Sequence, residues 1–161
     1  MTALADSVLS DTRAFLSADY LPKISRCLDT LSETDVWWRP NAASNSIGNL
    51  VLHLDGSTRM WIVGVAGGRP VARDRAAEFA ERGPIAKGEL LAKLRATMAE
   101  VDQMLAQLDP ATLLERRTTS SREEVTVLWA ILHAVEHFAM HTGQIIVLTK
   151  ERTATDLGLR G

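Results

Sequence analysis

Between Val125 and Leu148 the chain carries a single charged side chain, Glu136, apart from its histidines. Apolar residues fill most other positions at intervals of three and four, the pattern of a helix that is apolar nearly all round. Such a helix must be buried on most sides, so it is expected to be central in a bundle or shared with a second subunit. Its start is placed near Glu123, with Glu123 and Glu124 favouring the first turn, and its end near Lys150.

Three further stretches show helical periodicity, and none shows sustained alternation of period two, which predicts an all-α fold. In the first helix Val8, Phe15, Leu16, Tyr20, Ile24, Cys27, Leu28 and Leu31 recur at steps of three and four, and Pro22 is expected to kink or briefly break it. The polar link "SETDVWWRPNAASNS" follows, in which Ser44 or Ser46 can cap a second helix from Ile47 to about Val65, stopped by "GGRP". Residues 67–88 read as a long connection with a short helix around Arg75 to Glu81. A third helix runs from Glu89 to Leu108 and ends at "DP". With 161 residues, enough for one sizeable core, the expectation is a single domain over 1–161: a four-helix bundle with a long connection between helices two and three.

The net charge of −2 is spread over interspersed acidic and basic residues, which gives no footprint for nucleic acid. The lone Cys27 excludes an internal disulfide. Asp6 and Asp11 interrupt the apolar run a signal peptide would need, and no apolar run approaches the roughly 18 residues of a membrane span. A cytoplasmic protein with no membrane partner is therefore expected.

The apolar fourth helix also holds three of the four histidines, in "HAVEHFAMHTGQI". Residues four apart share a helix face, so His133, His137 and His141 form one stripe. Its ends are separated by about 12 Å of helix rise, too far to share an ion easily, which leaves two candidate pairs: His133 with His137, or His137 with His141. The remaining histidine, His53, lies among Val51, Leu52 and Leu54 in the second helix and can supply a third ligand if the two helices are neighbours. Three neutral imidazoles with open positions suit zinc or nickel, and also iron, copper or manganese. Against this, a histidine on an apolar face is more often a core residue, and "HAVEH" also matches H-x-x-E-H, which would recruit His133, Glu136 and His137 as a peptidase centre. That pattern is short, and no later helix remains to supply its third ligand.

The stretches "WWRPNAASNSIGNLVLHL" and "HAVEHFAMHTGQI", with "RDRAAEF" between them, resemble the DinB-like superfamily. The resemblance covers most of the chain in order, and helices one and three add only generic patterning. It implies a four-helix bundle, commonly a homodimer, with a divalent metal held by one histidine of helix two and an H-x-x-x-H pair of helix four. On this sequence the implied ligands are His53, His137 and His141. His133 then becomes a core residue or a neighbour of the ligands, Gln144 could orient a ligand, and Asn49, one turn before His53, is either a support for the site or a polar residue near a helix start.

Relatives in that superfamily include metal-dependent transferases using low-molecular-weight thiols, so the resemblance implies a thiol-dependent S-transferase as the leading reading. Its rivals are a metal-dependent hydrolase, for which Asp55 and Glu136 are poorly aimed as bases, and a non-catalytic dimeric metal-binding or stress-related protein. No catalytic residue, thiol-binding residue or small-molecule substrate is identified. Cys27 reads as a small buried hydrophobe, and Trp37 and Trp38 as packing over the bundle end in preference to a substrate mouth. Arg69, Arg73, Arg75 and Arg82 alternate with Asp74, Glu78 and Glu81, which predicts a solvated, mutually paired surface. Met140, Gly143 and Val147 are placed on a face of helix four away from the histidines, fit for packing against another helix or a second subunit.

Overall fold

The computed structural model describes residues 2–121 and 123–159. Its first long helix is α1 (Thr2–Arg13), a π-helical stretch (Ala14–Tyr20) and α2 (Leu21–Thr30) in unbroken succession. Pro22 does not break it. The Leu21 N–H reaches back to the carbonyl of Leu16, a wider turn than the α-helical one. Pro22 therefore enters at the start of α2, where its missing N–H and fixed φ are tolerated.

A short α3 (Glu33–Val36) leads to α4 (Ile47–Thr58) and its π-helical continuation Arg59–Ala66. Ser46, and not Ser44, caps α4: its hydroxyl accepts from the Asn49 N–H, and the Asn49 side chain accepts from the Ser46 N–H. The long connection holds only α5 (Arg75–Ala80), followed by α6 (Lys87–Gln107).

The fourth expected helix starts later than Glu123. Glu124 lies in a strand, β2 (Glu124–Thr126), antiparallel to β1 (Arg116–Thr118), and α7 runs Val127–Thr153 with Thr126 as its cap. Three residues are too few to show alternation, and the polar run around them reads as a loop. The hairpin is small beside the helices, and the all-α bundle stands. Packing of α4 against both α6 and α7, and of α2 against α7, closes one core. Leu16, Ile24, Leu28, Leu54, Ile62, Leu94, Phe138 and Ile145 are fully buried in it, each contributing about 1.5–3 kcal/mol by leaving water.

Burial of α7 is less complete than its composition suggests: Trp129, Leu132, Met140 and Val147 are exposed. A Cβ on Gly143 would meet nothing within 4 Å among the described residues. Met140, Gly143 and Val147 border an open cavity of about 580 Å³ rather than another helix. Among the described residues no helix is long and apolar enough to cross a membrane.

Candidate metal centre

His137 and His141 stand one turn apart on one face of α7, and the packing of α4 on α7 brings His53 opposite them. The Nε2 of His137 lies 3.0 Å from that of His53 and 3.1 Å from that of His141. One ligand atom from each of the three lies within 4.8 Å of the others, a grouping that could hold a metal ion. His53 and His141 are buried and His137 is half-buried.

The protons on these rings follow from their outer neighbours. Nδ1 of His53 lies 2.8 Å from Glu78 Oε2 and 3.1 Å from Arg73 Nη2, contacts that ask opposite things of it. Burial alone would raise the carboxyl pKa of Glu78, but hydrogen bonds from Arg73 and His53 outweigh it and hold the group below its ordinary range. An ionised carboxylate can only accept. His53 Nδ1–H therefore donates to Glu78, and Arg73 spends its donors on the same carboxylate at 2.7 and 2.8 Å. On the other side, His141 Nδ1–H donates to Gln144 Oε1 at 2.7 Å.

In their neutral form both rings then present bare Nε2 lone pairs to His137, whose Nε2 has at most one hydrogen to give and can serve only one of them. A cation would accept all three lone pairs. Burial, followed by the neighbouring His141, His53, His133 and Arg73, pushes the His137 pKa down to about 3. Burial also lowers that of His141, against the opposing hydrogen bond to Gln144. Neutral imidazole is the form that binds metal. With metal–nitrogen bonds of about 2.0–2.1 Å, ligand nitrogens sit about 2.9 Å apart at right angles and about 3.4 Å apart in a tetrahedron. The two separations that involve His137, 3.0 and 3.1 Å, lie in that range, and the ligand atoms of His53 and His141 lie within 4.8 Å of each other.

His133, the upper rung, is turned to other work. Its ring stacks on Trp129 at 5.0 Å and meets Trp61 edge-on at 4.6 Å. Asn49 is fully buried, and besides capping α4 its amide donates to the carbonyls of Glu78 and Glu81 at 2.9 and 3.0 Å. It thus ties down the segment that carries Glu78. Asp55 points to α6, accepting from Thr97 Oγ1 at 2.6 Å, and Glu136 is exposed. Cys27 is buried, and burial pushes its thiol pKa up. Trp37 packs over Gly48 and Gly83 and donates to the Ile85 carbonyl at 3.1 Å, as a lid should.

The expectation of a solvated surface fails at Arg73 and Glu78. They do pair, but their side chains are only 12% and 10% exposed. The connection folds back over α4, so that Phe79 also packs on the His53 ring with centroids 4.6 Å apart. Gly56, three residues after His53, makes the space, since a Cβ there would fall inside the Glu78 carboxylate. The only sequence signal for this was "RDRAAEF" itself, a charged run with no periodicity to say which way it faces.

A family description, the DinB superfamily, matches residues 22–145. Among solved structures, a DinB-like protein from Bacillus subtilis (YjoA) superposes with a TM-score of 0.70 at 20% identity, over 96% of both chains. A conserved protein from Enterococcus faecalis superposes with a TM-score of 0.65 at 16% identity, over 93% of this chain and 95% of that one. At these identities the likeness is one of fold. No curated protein matches the chain.

Proposed function

The chain belongs to the DinB superfamily, and on that premise we propose that His53, His137 and His141 hold a divalent cation for a reaction between a low-molecular-weight thiol and an electrophilic small molecule. Zinc or nickel is the first choice of ion, with iron or manganese next. The observation that supports the reading is the convergence of three Nε2 atoms while the Nδ1 protons of His53 and His141 are committed outward.

When bound, the cation stabilises a thiolate at neutral pH. The chain's own contribution is the setting. Three neutral ligands leave the ion its full charge, and three protein ligands leave positions open. Burial of His53 and His141 keeps water from their side, whereas half-buried His137 marks the more accessible edge. Since Cys27 is buried in α2, the thiol comes from a cofactor. Its sulfur forms the new S–C bond, the leaving group departs with its electron pair, and the thiol proton passes to solvent. Hydrolysis finds less support, because Asp55 is engaged by Thr97 and Lys93. A purely structural zinc site usually has four protein ligands.

The partner we propose is a second copy of the chain, as the superfamily resemblance implies, covering the exposed Trp129, Leu132, Met140 and Val147. The metal reading is tested by elemental analysis of untagged protein. Near-stoichiometric metal is expected in the wild type and in His133→Ala, and none in His53→Ala or His141→Ala. Failure of the wild type to take up zinc, nickel, manganese or ferrous iron on reconstitution would sink the reading. Thiol-dependent consumption of electrophiles by the loaded protein is the second step of the same test.

A further inference from the structure

We propose that Glu78 is a positioning residue of this centre: by accepting the Nδ1–H of His53 it fixes that ring's tautomer and aims its Nε2 lone pair at the point where the three histidines converge. The inference rests on the metal reading above. It begins from geometry, with Oε2 of Glu78 2.8 Å from Nδ1.

A carboxylate holds a ligand this way only if it cannot wander, and four features confine it. Arg73 grips both of its oxygens, Nε on Oε1 at 2.7 Å and Nη2 on Oε2 at 2.8 Å, the bidentate fork that fixes orientation as well as distance. The buried amide of Asn49 pins the backbone on either side of Phe79 through the carbonyls of Glu78 and Glu81. Phe79 packs on the His53 ring. Gly56 leaves on α4 the room that the carboxylate occupies. Nδ1 and Nε2 lie on opposite sides of the imidazole, so Glu78 works from behind the ligand and is not itself aimed at the ion. His141 has a neutral counterpart in Gln144. Of the two outer partners, only Glu78 brings a negative charge, which makes its histidine the more basic ligand.

A bare structural clip, Arg73–Glu78 closing the connection onto α4, makes different predictions. Long-range proton–nitrogen NMR correlations on the imidazoles of the metal-free protein report the tautomer of His53, and competition titration reports zinc affinity. In the wild type the proton is expected on Nδ1. In Glu78→Ala that preference is lost and zinc affinity falls about 10–100-fold, while Glu78→Gln, which keeps an acceptor without the charge, falls between. A wild-type His53 carrying its proton on Nε2 would overturn the proposal, as would zinc affinity in Glu78→Ala within about twofold of wild type. Should the alanine variant not fold, the glutamine variant decides on the same two readouts. A wild type that takes up no zinc would defeat the metal reading, and the tautomer of His53 would still decide whether Glu78 sets it.

Discussion

His137 shares its Nε2 with both other histidines, and its protonation carries a stability cost. In an unfolded chain a histidine titrates near about 6.5, whereas in the fold burial first, then its neighbours, bring His137 down to about 3. Between those values the unfolded chain binds the proton and the fold does not. The stability held in the neutral ring is therefore fully present above about pH 6.5 and is lost as the pH falls toward the folded value. The melting temperature of metal-free protein should drop on acidification from about pH 7 to about pH 4, and less steeply in His137→Gln. Parallel pH profiles for the two would show that this ring contributes nothing. At the same scale the sequence was partly legible: a step of four placed His137 and His141 on one face, but it left His133 an equal claim. In the fold the grouping that could hold an ion takes in His53, His137 and His141, while the His133 ring packs against Trp61 and Trp129, and nothing in the spacing foretold it.

At the scale of elements, α4 serves two neighbours at once, presenting His53 to α7 and a gap at Gly56 to the returning connection. Alanine in the middle of a helix is favoured over glycine by roughly 0.8–1 kcal/mol, yet a Cβ at this position would collide with Glu78. Gly56→Ala is thus expected to keep its helix content while losing zinc affinity in the same direction as Glu78→Ala, which circular dichroism and competition titration can check together. The end of α7 offers a separate test. Ala154 stops it in the left-handed region, at φ 52°, where an L-residue other than glycine is strained by roughly 1–2 kcal/mol. Ala154→Gly should recover part of that in urea unfolding, with metal binding unchanged. Four long helices were evident from periodicity because each has a buried face of its own. The strands β1 and β2 were not, because pairing between two segments of three residues leaves no repeat to find.

For the molecule as a whole, the exposed residues of α7 and the metal centre bear on assembly and stability. If a second copy covers Trp129, Leu132, Met140 and Val147, the protein in solution should weigh twice its 17.6 kDa chain, and Met140→Glu should halve that mass in light scattering without unfolding the bundle. A monomeric wild type at micromolar concentration would remove the second copy as partner. Metal should stabilise the fold by mass action, about 2.7 kcal/mol at a hundredfold excess over the dissociation constant. Zinc should accordingly raise the melting temperature of the wild type and of His133→Ala, and leave His141→Ala where it was.

By itself the sequence determined the helical class, the number of long helices, the confinement of every histidine to two of them, and the short helix in the long connection. Each of these is written in local order, as a period or a step along one helix. Tertiary structure alone decided that Arg73 and Glu78 are packed, largely covered, against His53, that Asn49 anchors their segment, and that one face of α7 is left open. Glu78 is 25 residues from His53 in a stretch without periodicity, so its place depends on where the connection folds back, on the space at Gly56 and on the grip of Arg73. Those are relations between distant parts of the chain, which come into being only when the core closes.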